Sequence, residues 1–112
     1  MNITFQNKKF EKLISNESKL SKELGPLRAK ILLKRLGALV DANTLEDVRY
    51  VPGNFHELVA DRKGQWACDL DQPYRLIFEP HENPIPADDS GRYIWLEIKG
   101  VEVIEITNYH GK

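Results

Sequence analysis

The sequence predicts an α+β domain in which helices come first and a mainly antiparallel sheet follows. Apolar residues recur at helical spacing over roughly the first fifty positions and alternate with polar residues over much of the rest. The alternating segments are short and are separated by turn residues, which indicates hairpin connections. The length of 112 residues fits a single domain, residues 1–112, with a helical part over about 7–50 and a sheet part over about 55–110.

The first elements follow from this spacing. A short strand is predicted over Asn2–Phe5. A helical pattern then runs from about Asn7 to Leu24, with an interruption at Asn16 or Ser18.

Gly25-Pro26 separates this helical segment from the next one. Glycine suits the C-terminus of a helix, and proline suits the first turn of the following helix. The second helix is predicted to run from Pro26 to about Val40, which makes an αα-hairpin with the first. Thr44–Asp47 has the residues that cap a short extra helix.

Beyond residue 54 the apolar period changes to two. Strands are predicted over Phe55–Ala60, Gln65–Leu70, Tyr74–Glu79, Tyr93–Leu96 and Val101–Thr107. Turn residues predict a tight turn at Arg62–Gly64, another at Asp71–Pro73, and an exposed loop over His81–Gly91.

Composition excludes several classes of protein. A single cysteine, Cys68, rules out an intramolecular disulfide and a multi-cysteine metal site, and no segment approaches the length of an apolar membrane span. We therefore expect a cytoplasmic protein that does not enter a membrane. The net charge of -1 argues against a histone-like nucleic-acid binder. The charge is unevenly distributed along the chain. Residues 1–50 hold 10 Lys/Arg and 6 Asp/Glu, a net charge of +4, and residues 51–112 hold 6 Lys/Arg and 11 Asp/Glu, a net charge of -5.

The motifs of several common enzyme classes are missing from the sequence. We find no P-loop, no dinucleotide-binding motif and no nucleophile elbow. The three histidines, His56, His81 and His110, do not stand at metal-ligand spacing with another His, Cys or Asp, so neither a metal nor a cofactor is expected. His81 falls in the predicted exposed loop and is interpreted as a surface residue.

A few side chains have reactive or anion-binding chemistry. His110 follows Tyr109 near the end of the last strand and is either an unpacked tail residue or an imidazole that titrates near neutral pH. Arg75 lies inside an apolar strand and needs a partner there, either a carboxylate or a phosphate. The basic turn at Arg62 and Lys63 is either a solvated hairpin or a phosphate contact.

These residue types match the needs of RNA cleavage without a metal. In that reaction a base takes the proton of the 2′-hydroxyl, a cation stabilises the charge that builds on the phosphate, and an acid protonates the departing 5′-oxygen. Spacing along the chain does not show whether the groups converge in space.

Four segments of the second half resemble a known family. They are Phe55-His56-Glu57-Leu58, Asp61-Arg62-Lys63-Gly64-Gln65-Trp66, Tyr74-Arg75-Leu76-Ile77-Phe78 and Val103-Ile104-Glu105-Ile106-Thr107-Asn108-Tyr109-His110. Their order and spacing resemble the HigB-type killer toxins of bacterial type II toxin–antitoxin modules, within the RelE/ParE superfamily. The resemblance covers roughly residues 55–79 and 101–110, whereas the helical half agrees in outline.

The resemblance implies a fold in which an N-terminal helical hairpin packs on a twisted, mainly antiparallel sheet. It implies an mRNA interferase, a ribosome-dependent and metal-independent endoribonuclease that cuts translated mRNA and inhibits translation. Its implied partners are a cognate helix-turn-helix antitoxin of the HigA type, the 70S ribosome and mRNA.

The resemblance also implies roles for individual residues. His110 and His56 would share proton transfer, Tyr109 would stack on or orient the scissile nucleotide, and Arg75 would hold the phosphate. Substrate or phosphate binding would fall to Lys63, Arg62 and Asn108.

Three departures from the family pattern keep two other functions open. Asn108 replaces an acidic residue, Val59 and Ala60 replace a lysine and a glycine, and residues 81–100 look like an acidic insertion. These departures favour a catalytically degenerate, antitoxin-binding module. The other alternative is a ParE-like gyrase inhibitor, but such proteins lack the terminal Tyr-His pair.

Overall fold

The computed structural model describes residues 1–108 and confirms the α+β prediction. Five strands form one sheet in the order β1-β5-β4-β3-β2. All neighbouring strands are antiparallel except β1 and β5, which are parallel. The strands are β1 (Asn2–Phe5), β2 (His56–Glu57), β3 (Trp66–Asp69), β4 (Tyr74–Pro80) and β5 (Gly100–Asn108).

Three helices lie between β1 and β2. They are α1 (Lys8–Ile14), α2 (Glu17–Leu24) and α3 (Pro26–Asp41), so the predicted interruption and the Gly25-Pro26 boundary are both confirmed. The interruption has a local cause: the side chain of Asn16 accepts a hydrogen bond from the backbone N–H of Lys19 at 3.1 Å and starts α2.

The short extra helix predicted after Thr44 is also confirmed. It is a 3₁₀ helix over Leu45–Tyr50, and at its start the side chain of Asp47 accepts a hydrogen bond from the backbone N–H of Thr44 at 3.0 Å.

The helices cover one face of the sheet. Leu20, Leu32 and Leu39 are fully buried from the helical side, and they join one core with Trp66 and Phe78 from the sheet. Burial of each such side chain contributes about 1.5–3 kcal/mol relative to exposure, which makes this layer the main source of stability. Within residues 1–108, no helix has the length and apolar character that crossing a membrane requires.

The strand predicted over Phe55–Ala60 is wrong beyond its first residues. Regular pairing stops at Glu57, and a 3₁₀ helix occupies Ala60–Arg62. Ala60 has a φ of 55°, a left-handed conformation that an extended strand does not accommodate. The chain from Leu58 to Gly64 thereby leaves the sheet and returns to it at β3 as a compact loop.

The strand predicted over Tyr93–Leu96 is also wrong. Tyr93 makes one isolated bridge to Ala87, and a 3₁₀ helix follows over Trp95–Glu97. The cause is tertiary packing of Trp95, whose ring lies edge-on to Trp66 with 5.4 Å between centroids and edge-on to Tyr93 at 5.1 Å. Packing of this large side chain overrides the local β preference.

The sheet face away from the helices, here called the outer face, is fixed by strand register. Leu76 and Phe78 point into the core, so Arg75, Ile77 and Glu79 of β4 point outward. Their cross-strand partners on β5 are Thr107, Glu105 and Glu102. The outer face therefore carries Arg75 together with the carboxylates of Glu79, Glu102 and Glu105.

Candidate functional site

His56 and Arg75 meet on the outer face, which the sequence alone does not show. His56 pairs with Ala67 across β2 and β3, and Arg75 pairs with Asp69 across β4 and β3. The register brings His56 Nε2 to 3.4 Å from Arg75 Nη1. An imidazole and a guanidinium from strands that are not neighbours thus converge on one spot.

The hydrogen bonds of His56 define its tautomer. Its Nδ1 lies 2.7 Å from the backbone oxygen of Asn54, and a carbonyl oxygen accepts only, so we assign the proton to Nδ1. The Nε2 lone pair then faces Arg75. In this tautomer Nε2 is the acceptor atom of the ring, and it is therefore the atom that a general base would use.

A small pocket surrounds this pair. Its volume is about 180 Å³. We call it the histidine–arginine pocket, and its lining residues are Asn54, His56, Asp69, Gln72, Pro73, Tyr74 and Arg75. Asn54 donates from Nδ2 to Asp69 Oδ2 at 3.2 Å, so the carboxylate nearest to the pair is already engaged.

The end of β5 borders the histidine–arginine pocket. Thr107 is the register partner of Arg75, and Asn108 is the register partner of Tyr74. Asn108 is the last residue that the structure describes, and it is exposed. The predicted site residues Tyr109 and His110 follow Asn108 directly in the sequence and lie outside the described residues.

Arg62 and Lys63, predicted as phosphate-binding residues, occupy different surroundings. Arg62 Nη2 lies 2.6 Å from Glu105 Oε2, and this ion pair spans β4. Arg62 shares a cavity with Arg75, whereas Lys63 does not line either pocket that contains Arg75. The ammonium of Lys63 instead lies 5.6 Å from the centre of the Tyr93 ring.

Lys63 belongs to a second, larger depression of about 510 Å³. We call it the acidic groove, because four carboxylates contribute to its wall. Its titratable lining residues are Asp61, Glu79, Glu82, Glu102, Arg62, Lys63 and His81. His81 is exposed, as the sequence predicts, and its Nε2 lies 2.7 Å from Thr4 Oγ1.

An ion-pair network behind β2 fixes the strand that carries His56. Arg49 bonds Glu57 at 3.0 Å and also bonds Glu46 at 3.0 Å. The indole N–H of Trp95 donates to Glu57 at 3.2 Å. The hydrogen bond to Glu46 raises the pKa of Arg49, with Glu57 adding to the effect against the opposing influence of burial. Anchoring Glu57 on the helical side presents His56 on the outer side.

The turn below the histidine–arginine pocket is held in a similar way. Arg28 of α3 bonds Asp71 at 2.8 Å, and its guanidinium lies 3.6 Å from the centre of the Tyr74 ring. The hydrogen bond from Arg28 lowers the pKa of Asp71. The pair ties the β3–β4 turn to the helical layer.

Two other chemistries find little support in the described part of the chain. Burial raises the pKa of the Cys68 thiol to about 12, so it is a neutral thiol at physiological pH and a poor nucleophile. Within residues 1–108, no group of three or more His, Cys, Asp or Glu side chains is arranged to hold a metal ion.

Sequence reasoning misses Glu105 as the partner of Arg62, because 43 residues separate the two. The alternation along β5 contains a usable signal, since it places Glu105 two residues from Thr107 on the face that also carries Arg75. Asp69 is missed as a neighbour of this site for the same reason, because the pairing of β3 with β2 and β4 brings it there.

Comparisons with known proteins give a likeness at the level of fold. No family model matches the sequence, and no curated protein matches it significantly. The YoeB-YefM complex from Staphylococcus aureus contains a similar structure, with a TM-score of 0.57 and 16% identity over 99% of this chain and 98% of that chain. The YoeB/ParE toxin from Agrobacterium tumefaciens gives 0.49 and 11% over 98% and 100%. The chain therefore has a fold of the YoeB type, with helices on one face of a mainly antiparallel sheet.

Proposed function

We propose that this protein is the toxin of a toxin–antitoxin pair and acts as a ribosome-dependent mRNA endoribonuclease. The observation that carries the proposal is the approach of His56 Nε2 to Arg75 Nη1, at 3.4 Å on the outer face. The toxin-like fold supports it, and so does the border that the histidine–arginine pocket shares with the end of β5.

In the proposed reaction the 2′-oxygen attacks the adjacent phosphorus and the bond to the 5′-oxygen breaks. His56 takes the 2′-hydroxyl proton on Nε2, which the Nδ1 bond to Asn54 leaves unprotonated. Arg75 neutralises the charge that builds on the phosphate oxygens. His110 gives a proton to the departing 5′-oxygen. No metal takes part in this scheme.

The remaining site residues position the substrate in this proposal. Tyr109 stacks on the scissile nucleotide, and Asn108 forms hydrogen bonds in place of the acidic residue common in the HigB-type family. Arg62 is the second phosphate ligand, because it lines a cavity with Arg75. Lys63 is the weaker choice, because its ammonium lies in the acidic groove beside Tyr93.

The ribosome supplies what the outer face lacks. Four carboxylates in the acidic groove disfavour tight binding of free RNA, since binding of that kind depends on neutralised phosphates. On the ribosome the mRNA is already held, so a local pair of cations is sufficient. The proposed site of action is therefore the cytoplasm, where ribosomes translate mRNA.

The proposed inhibitor is a HigA-like helix-turn-helix antitoxin. The related fold from Staphylococcus aureus was solved as a YoeB-YefM complex, which supports a protein partner in general. Co-expression with the small neighbouring reading frame should restore growth in cells that produce this chain. Arrest that persists with every neighbouring frame would contradict an antitoxin encoded beside it.

Primer extension on cellular mRNA after induction tests the proposal. The wild type should produce new 5′ ends within translated regions, and His110→Ala or Arg75→Ala should lose them. His81→Ala is the matched control, because His81 lies in the acidic groove. DNA damage without new mRNA ends would favour a gyrase inhibitor. Neither effect in the wild type would favour a degenerate, antitoxin-binding module.

A further inference from the structure

The ion pair between Arg62 and Glu105 lies between the two pockets of the outer face. Its N–O distance is 2.6 Å, and the side chains are 40% and 43% exposed. Arg62 lines the acidic groove, and it also lines a separate cavity, beside the loop from Leu58 to Asp61, that includes Arg75. The carboxylate of Glu105 therefore pairs with a cation that lines one cavity together with Arg75.

A carboxylate and a phosphate compete for the same guanidinium N–H groups, because both anions bind the planar fork of donors. Arg62 donates one hydrogen bond from Nη1 to Gln65 Oε1 at 2.9 Å and another from Nη2 to Glu105 Oε2. Two of the five guanidinium N–H groups are thereby engaged, and a phosphate that approaches Arg62 competes with the Glu105 carboxylate for Nη2 and for the positive charge. The exchange is easy, since an exposed ion pair adds little net stability.

We propose that Glu105 is an internal competitor that keeps Arg62 from RNA phosphates until the substrate is held at high local concentration. This inference rests on the proposed function and adds a regulatory residue to it. Free RNA meets an occupied Arg62 and binds weakly. An mRNA held on the ribosome displaces the carboxylate, and Arg62 then joins Arg75 on the phosphate.

Glu102 provides the matched control for charge. It lies on the same strand and the same face as Glu105, and its register partner is Glu79. Glu102→Gln removes one negative charge from the acidic groove without touching the Arg62 pair. Any difference between Glu105→Gln and Glu102→Gln therefore reports on the occupied arginine rather than on net charge.

The test is fluorescence anisotropy with a labelled 12-nucleotide 2′-O-methyl RNA, which lacks the free 2′-hydroxyl needed for cleavage. Glu105→Gln should bind about fivefold more tightly than the wild type, the factor that corresponds to an exposed ion pair of ~1 kcal/mol. Its salt dependence should steepen by about 0.7 in the log–log slope, because one more phosphate is neutralised. Glu102→Gln should change the affinity less than twofold.

Two further variants locate the effect on Arg62. Arg62→Ala alone is the reference for the double variant, because it measures the affinity that remains without the arginine. Arg62→Ala combined with Glu105→Gln should lose the fivefold gain. Thermal unfolding of each variant verifies that the sheet is intact, and Glu105→Gln keeps the shape and one hydrogen bond of the native side chain.

The proposal fails if Glu105→Gln binds no more tightly than Glu102→Gln, or if the gain survives without Arg62. This failure is separable from failure of the proposed function, which primer extension measures on the wild type. Cleavage by the wild type together with unchanged RNA affinity in Glu105→Gln would remove the competitor and leave the nuclease. Tighter binding by Glu105→Gln without any cleavage by the wild type would support the competitor and contradict the nuclease.

Discussion

The histidine–arginine pocket and the acidic groove lie at opposite ends of one sheet face, but their charges are arranged differently. In the pocket, His56 and Arg75 converge, and the nearby Asp69 is bound by Asn54. In the groove, carboxylates outnumber the cations, and Lys63 lies against an aromatic ring.

Charge summed along the chain is therefore a poor guide to the charge at a site. Residues 51–112 carry an excess of five negative charges, yet they also provide His56, Arg62 and Arg75. Sheet register sorts them, because it puts Glu79 opposite Glu102 and Arg75 opposite Thr107. Two cations, Arg62 and Arg75, therefore line one cavity within the acidic half of the chain.

The pocket and the groove should differ most in how strongly a substitution in each lowers the rate of mRNA cleavage. Arg75→Ala should lower the rate of mRNA cleavage about 10²–10³-fold, because a cation at the transferring phosphate supplies stabilisation of that size. Lys63→Ala should change it less than threefold. Rates come from cleavage of ribosome-bound mRNA by the purified variants, and equal losses for the two would show that the groove belongs to the site.

The loop that contains Ala60 separates the pocket from the groove, and its conformation predicts an effect on the free energy of unfolding. The φ of 55° at Ala60 is unfavourable for alanine and easy for glycine. Ala60→Gly should therefore stabilise the protein by about 1 kcal/mol in urea unfolding. Ala38→Gly, inside α3, should destabilise it by a similar amount. A loss of stability in both variants would contradict the strained loop.

The Arg28–Asp71 pair predicts a smaller effect that depends on pH. Its hydrogen bond lowers the pKa of Asp71, so the contribution to stability is complete above the usual aspartate value of about 3.9. It is lost as the pH falls through the lowered pKa of the folded state. The wild type should exceed Asp71→Asn by about 0.5–1 kcal/mol at pH 7 and lose this lead towards pH 3.

Urea unfolding between pH 7 and pH 3 measures this difference. Asp41→Asn is the control, because Asp41 lies at the exposed end of α3. A lead of Asp71 over Asp71→Asn that stays constant across the range would contradict the assigned hydrogen bond.

Much of the fold is readable from local sequence, because its causes are local. Helical spacing, the Asn16 cap and Gly25-Pro26 define the helices, and alternation defines β3, β4 and β5. The wrong strand at Tyr93–Leu96 has a distant cause, the packing of Trp95 on Trp66. Parallel pairing of β1 with β5 is likewise set by contacts between the two ends of the chain.

The candidate site is readable by residue type but not by arrangement. His56 and Arg75 stand out by chemistry, and their proximity depends on the register of three strands. The separation of Arg62 from Lys63 depends on the loop at Ala60 and on Glu105 across the sheet. The alternation along β5 indicates the face of Glu105, but the contacts themselves follow from tertiary structure.

The most direct test compares two histidines in one assay. Single-turnover cleavage of ribosome-bound mRNA should fall at least about 10²-fold in His56→Gln, because a general base supplies an effect of that size. His81→Gln in the acidic groove should stay within about twofold of the wild type. Equal rates for His56→Gln and the wild type would contradict the central claim that the histidine–arginine pocket is the catalytic site.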